Sequence, residues 1–290
     1  MSTAAKVLRG RRALVTGASS GIGVELARAL ARRGADVALT ARRGDRLEAL
    51  AAELRADHDV AADVIALDLA QAGGALALWR KARAGGEVDL LVNNAGFGTF
   101  GRFVDADPDR DAELVQLNIA AVVELCHAFA AAHRGRPAAA PAFLMNVASI
   151  VAWQAIPNFA TYAASKAFVR SFSEALHYEL APSVIVTCLC PGGTHSEFHA
   201  IAGAAPKKGL AAAAMMTSAD VAERGVAAML RGKKTVVTGT LNKLSCFFTG
   251  LAPRGVSSRA AARVLGPPPA ARTDDEAMDV AGPAPEDDGR

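Results

Sequence analysis

The sequence predicts an α/β fold with a doubly wound parallel sheet, and three observations carry that reading. Strand-like and helix-like segments alternate from residue 13 to residue 238, which calls for a parallel sheet covered by helices on both faces. The apolar strand runs lack a clean in–out alternation, as strands buried on both sides do. A glycine-containing loop joins the first strand to the first helix, where such folds bind phosphate groups. With 290 residues, 51% of them hydrophobic and 21% charged, the chain is long enough to form one large α/β unit.

The elements follow in order. Ala13 to Thr16 is a short buried strand, and Ile22 to Arg33 a helix that Gly34 ends. Asp36 to Ala41 is a strand, Asp45 to Asp57 a helix, and Val60 to Leu67 a strand. Ala75 to Ala84 is helical, Asp89 to Val92 a strand, and Asp109 to His133 one long helix. Ala142 to Ala148 is a strand, Ala160 to Leu180 a helix, and Val184 to Cys190 a strand. A last unit opens on the capping run Thr217-Ser218-Ala219-Asp220, continues as a helix to Leu230 and ends in a strand, Thr235 to Thr238. Between the last two strands, residues 195–216 carry glycines and a Pro-Lys-Lys and read as a mobile lid. Residues 1–240 are thus expected to form a single domain.

Two segments follow it. Residues 241–266 read as an amphipathic helical extension, with Leu241, Leu244, Phe247, Phe248 and Leu251 on one face and Lys243 and Arg254 nearby. That face has three readings: weak contact with a membrane surface, cover for a neighbouring subunit, or docking on the chain's own cleft. Residues 267–290 begin with three prolines, turn acidic, and hold too few apolar residues to order themselves.

Charge and special residues narrow the class. The net charge of +3 hides an asymmetry: seven acidic and two basic residues from Arg272 to Arg290 give −5 there and leave +8 elsewhere. That modest basic excess suits a phosphate-bearing ligand, and no aromatic residues interleave with it as a nucleic-acid groove needs. Residues 1–12 lack the apolar core of a secretory signal, and no uninterrupted apolar stretch approaches a bilayer's thickness. Cys126, Cys188, Cys190 and Cys246 form neither a zinc spacing nor a disulfide framework, so they read as reduced thiols of a cytoplasmic protein. The histidines, His195 and His199 among them, lack metal spacing with acidic partners, and no metal is expected.

The first loop reads Thr16-Gly17-Ala18-Ser19-Ser20-Gly21-Ile22-Gly23. Its glycines let the backbone turn tightly and approach a pyrophosphate, and the following helix offers unpaired N–H groups to it. Thr-Gly-x-x-x-Gly-x-Gly resembles the cofactor motif of the short-chain dehydrogenase/reductase family, and further motifs follow in that family's order over roughly residues 11 to 240. Asp68, with Leu69 beside it, closes the third strand, where family members hold the adenine ring. Asn93-Asn94-Ala95-Gly96 is similar to the family's stabilising motif beneath the cofactor. Tyr162-Ala163-Ala164-Ser165-Lys166 matches its catalytic motif, with Ser149 thirteen residues ahead. Pro191-Gly192 ends the sixth strand, where the nicotinamide carboxamide is held, and either Thr194 or Ser196 then supplies the family's threonine-like contact. The resemblance implies a Rossmann fold, a nicotinamide cofactor and hydride transfer between that cofactor and a small-molecule carbonyl or alcohol.

Such chemistry needs one proton delivered or removed at the substrate oxygen near neutral pH. A tyrosine is a poor base at its ordinary pKa of about 10, and a lysine one helical turn away lowers it. Tyr162 and Lys166 stand in that i, i+4 relation, and Ser149 can donate to the oxygen as charge develops. The resemblance also assigns Asn118 to the catalytic set, since a matching helix asparagine serves the lysine there.

The sequence further predicts NADP(H) as the cofactor. NAD-preferring relatives carry an acidic residue at the end of the second strand, where this chain has Ala41 followed by Arg42 and Arg43. Arg42 is the expected partner of the 2′-phosphate, with Arg43 flanking. Substrate selection falls to residues 97–103, 150–159 and the lid, whose Phe100, Trp153, Phe159, Phe198 and Met215 suggest an apolar ketone or oxoacyl compound. An NAD-dependent alcohol dehydrogenase is the alternative enzyme; a non-catalytic NADP(H)-binding protein on the same fold is disfavoured by the intact catalytic residues. The expected assembly is a homo-oligomer.

Overall fold

Neighbouring residues of the first strand, β1 (Arg12–Thr16), are buried in different cores: Ala13 and Val15 in one, Leu14 in the other. Side chains alternate across a strand, so both faces of this sheet are covered. The computed structural model describes residues 6–194 and 215–265. The remaining strands are β2 (Asp36–Ala41), β3 (Ala62–Ala66), β4 (Leu90–Asn93), β5 (Ala142–Val147), β6 (Val184–Cys190) and β7 (Thr235–Val237). They pair in the order β3-β2-β1-β4-β5-β6-β7, every pair parallel.

Helices α1 (Gly21–Ala31), α2 (Gly44–His58) and α7 (Ser218–Leu230) cover one face with Leu26, Leu30, Leu47, Leu54, Val226 and Met229. Helices α3 (Gly74–Ala84), α5 (Ala121–Ala132) and α6 (Ala160–Glu179) cover the other with Leu78, Trp79, Leu125, Phe129 and Leu176. The chain winds outward from β1 in both directions, which leaves a crevice at the carboxyl ends of β1 and β4. This is the Rossmann-like, doubly wound sheet that the sequence predicts.

The predicted helix over 109–133 differs in detail. It consists of α4 (Pro108–Val115), a π turn at Gln116–Ala120, and α5. The wider turn holds Asn118, whose side chain is tied to the backbone of Phe97, and periodicity does not register the one extra residue. By length and composition, Pro108–Ala132 could also cross a bilayer. Its Leu114, Val122, Leu125 and Phe129 are buried in the protein, as in a core helix. Short 3₁₀ turns at Phe103–Asp105 and Ile150–Trp153 had no signature in the sequence.

The extension consists of two helices, α8 (Thr240–Leu251) and α9 (Arg254–Leu265). The structure does not fold its apolar face onto the chain's own cleft: Leu241, Leu244, Phe247, Phe248 and Leu251 are 54–69% exposed. The predicted lid lies outside the described residues except for Met215 and Met216, and with it Ser196, Phe198, His195 and His199; so does the tail over 267–290. Met216 pairs with Thr194, and its N–H donates to the Gly193 carbonyl at 3.0 Å.

Candidate active site

The loop after β1 closes on itself through Thr16 and Asn94. Thr16 Oγ1 accepts from the N–H groups of Asn94 at 2.9 Å and Ala95 at 3.0 Å. The Asn94 amide donates to the carbonyls of Thr16 at 2.9 Å and Gly17 at 3.2 Å. Asn94 thus pins the carboxyl ends of β1 and β4 together. Gly17 adopts φ +67°, and a Cβ at Gly23 would stand 2.1 Å from the Gly17 carbonyl oxygen. Only glycine lets α1 come this close to the loop.

Ser20 precedes α1 without a side-chain cap, and the first turn holds no acidic residue, so its N–H groups suit an anion. Ser19, Ser20, Gly21 and Ile22 stand where a dinucleotide's pyrophosphate fits. At the end of β2, the Arg43 guanidinium donates to Ser19 Oγ from Nε at 3.3 Å and Nη2 at 3.2 Å. Arg42 is 63% exposed at its side chain and lies 3.6 Å from Glu113 Oε1. Of the two arginines, the one read as flanking is the one at the loop. Asp68 accepts from the Ala70 N–H at 3.0 Å just past β3, beside buried Leu69.

The catalytic candidates converge above β4, β5 and β6. Tyr162 and Lys166 lie in the first turns of α6, and both are buried. Lys166 Nζ donates to the Val147 carbonyl at 2.9 Å and stands 5.8 Å from the centre of the Tyr162 ring. Ser149 follows β5 and hydrogen-bonds to Tyr162 through its side chain. The Ile150 N–H donates to the Pro191 carbonyl at 2.9 Å, which sets the Ser149 turn beside Pro191-Gly192. Thr194 Oγ1 donates back to the Gly192 carbonyl at 3.1 Å. Gly96 brings its backbone close to Asn118 and Lys166: a Cβ there would meet Asn118 Oδ1 at 2.8 Å and Lys166 Nζ at 3.4 Å.

Burial decides the protonation states. It raises the Tyr162 pKa, with the Ser149 hydrogen bond pulling weakly the other way, so the phenol keeps its proton. It lowers Lys166 to about 8. Lys166 Nζ faces the Val147 carbonyl, and burial is the dominant influence on Tyr162.

The cleft wall is aromatic. Phe159 packs 4.5 Å from Tyr162 and 5.8 Å from Phe100, ring centre to ring centre, with Phe97 and Ile156 in the same cluster. Trp153 is not part of this wall; it packs with Ala148, Val169, Cys188 and Cys190 beneath the Arg170 guanidinium. Reasoning from sequence missed two residues that shape the site. Asp111 accepts from Thr99 at 2.9 Å and Thr161 at 2.8 Å, joining the loop over the site to the start of α6. Asn242 of α8 is packed so tightly on Gly192 that a Cβ there would lie 2.0 Å from its Nδ2. Neither belongs to a local motif, so only the fold reveals them.

A phosphate-binding loop at the switch point of a parallel sheet, with a Ser–Tyr–Lys set beyond it whose tyrosine and lysine are buried, defines an oxidoreductase that works with a nicotinamide cofactor. The chain belongs to the short-chain dehydrogenase family, whose model matches residues 11–207. It is 37% identical over 245 residues to nodulation protein G of Rhizobium sp. (strain N33), covering 80% of this chain and 94% of that one. A short-chain dehydrogenase from Sphingobium yanoikuyae, solved in complex with NADPH, superposes with a TM-score of 0.72 at 27% identity over 91% of this chain and 99% of its own. The 3-ketoacyl-(acyl-carrier-protein) reductase of Brucella melitensis, solved with NADH, gives a TM-score of 0.70 at 26% identity over 80% and 98%.

Proposed function

We propose that this chain is an NADP(H)-dependent reductase of a hydrophobic ketone or oxoacyl compound. The observation that carries the reading is the hydrogen-bonded Ser149–Tyr162 pair, with the phenol buried and protonated. The loop after β1 and Pro191-Gly192 would hold a nicotinamide cofactor, whose chemistry when bound would be hydride supply to a carbonyl carbon. Ser149 accepts from the Val151 N–H at 3.3 Å, and its hydroxyl turns from the Tyr162 oxygen to donate to the substrate oxygen. Tyr162 then delivers its phenolic proton to that oxygen, and the Lys166 charge stabilises the tyrosinate left behind. Phe97, Phe100, Ile156 and Phe159 offer an apolar surface, which favours a hydrophobic carbonyl over a sugar or small acid. The arginines after Ala41 favour a 2′-phosphate on the cofactor.

A cytoplasmic location belongs to the same proposal, supported by four free, buried cysteines. So does a homo-oligomer, which would cover exposed Val115 on α4 and Phe168 on α6. The deciding experiment is cofactor oxidation across a panel of aryl ketones, oxoacyl thioesters, keto sugars and secondary alcohols, with NADPH and NADH in parallel. Turnover of apolar carbonyls with NADPH is expected; turnover confined to keto sugars, or to alcohols with NAD, overturns the reading.

A further inference from the structure

Between Glu223 and Asp274 the chain holds no acidic residue, and residues 231–265 alone carry seven basic ones. The same stretch places Leu241, Leu244, Phe247, Phe248 and Leu251 at i, i+3, i+6, i+7 and i+10, one face of α8. An amphipathic helix of a globular protein ordinarily turns such a face inward. Here α8 is docked the other way round. Buried Asn242 donates to the Thr238 carbonyl at 2.8 Å and packs on Gly192, and Cys246 is buried on the same inner side. The apolar face points to solvent. α9 is anchored likewise by a small residue, Ala261, among Phe97, Leu114, Phe159 and Tyr162. It presents Val256, Arg259 and Arg263 outward at i, i+3 and i+7.

We propose that α8 and α9 seat the protein on an anionic lipid surface. The occupant of this face has to bury two phenylalanines and three leucines and also neutralise a segment with no acid of its own. A second copy docked face to face would set basic residues against basic residues, which disfavours it. A bilayer with anionic headgroups meets both demands at once: the acyl boundary takes the apolar face, and the headgroups take Lys243, Arg259 and Arg263.

The test is flotation of the full-length protein with phosphatidylcholine vesicles with and without phosphatidylglycerol, at low salt, alongside sedimentation velocity. Flotation with the phosphatidylglycerol vesicles and none with phosphatidylcholine alone is expected. The double variant Phe247→Glu/Phe248→Glu changes two exposed residues and should keep its melting temperature while losing vesicle binding. Arg259→Gln with Arg263→Gln should weaken binding roughly tenfold or more. Wild-type protein that stays at the bottom with anionic vesicles overturns the proposal, as does a Phe247→Glu/Phe248→Glu variant that floats equally well. If instead that variant splits an oligomer and the wild type binds no vesicles, the face is a subunit interface and the proposal fails.

Discussion

The Asn118 amide donates to Ser165 Oγ at 3.0 Å, and Ser165 is the residue before Lys166. The same amide donates to the Phe97 carbonyl at 3.0 Å, and Asn118 Oδ1 accepts from the Phe97 N–H at 3.2 Å. One buried side chain therefore ties the loop after β4, the π turn and the catalytic helix together. Its expected effect on the reaction is to hold Lys166 in place through Ser165.

Asn118→Leu should orphan the buried Phe97 N–H and carbonyl, at about 1–3 kcal/mol for each group left unpaired. For a chain of this size that is a fall in melting temperature of about 2–4 °C per kcal/mol. Thermal melts check the first part. Turnover should fall with less change in KM, because the damage reaches the site through α6. A variant with the wild-type melting temperature and kcat would refute this role.

Tyr162→Phe should remove the proton donor and little else. The ring stays in place against Phe159, 4.5 Å away, so packing is conserved. A loss of at least about 100-fold in turnover is expected, the low end for general acid–base catalysis. Cofactor affinity, measured by nicotinamide fluorescence, should be nearly unchanged. Substantial turnover by the purified variant would remove Tyr162 from the mechanism.

The pH profile should report Lys166. With its pKa lowered to about 8 by burial, the ammonium is lost as pH rises through that value, and reduction should slow on the alkaline side. Tyr162, raised by burial, keeps its proton over the same range. The sign for stability is the reverse. The folded state gives up the Lys166 proton more readily than the unfolded chain, so this residue's contribution to stability grows from pH about 8 toward 10.5. kcat/KM followed from neutral pH to about 10 should show the descending limb. A flat alkaline profile would mean that Lys166 is not required in its charged form.

Much of this was readable in advance because its causes are local. The ends of β2 and β6 follow from apolar runs bounded by turn residues, and both strands have the predicted limits, Asp36–Ala41 and Val184–Cys190. Gly17, Gly23 and the Tyr162–Lys166 spacing are set by backbone sterics and by one helical turn, which a sequence displays directly. What was hidden depends on contacts between distant segments. The π turn around Asn118 answers to Phe97, twenty-one residues away. Asp111 acts through Thr99 and Thr161, and nothing near it in the chain marks that task. The apolar stripe of α8 was legible, but its outward direction was not, since that is set by Asn242 meeting Gly192.

The last prediction concerns which arginine selects the cofactor. β2 ends at Ala41, where an aspartate would repel a 2′-phosphate and alanine does not. Arg43 already stands at the loop through Ser19, at 3.2 and 3.3 Å. Arg42 is exposed and, among the described residues, pairs with Glu113 at 3.6 Å, a surface pair worth about 0–1 kcal/mol. A phosphate can outbid that pair, because a charge-assisted hydrogen bond contributes about 1.5–3 kcal/mol. Each arginine that grips the phosphate should therefore favour NADPH over NADH by roughly 10- to 150-fold. Arg42→Ala and Arg43→Ala are expected to lower kcat/KM with NADPH by at least about tenfold and to leave NADH nearly unaffected. The larger loss of the two identifies the principal contact. Ala41→Asp should swing the preference toward NADH. Equal efficiency with both cofactors in the wild type would end the case for NADPH, and an unchanged ratio in both single variants would end the case for the arginines.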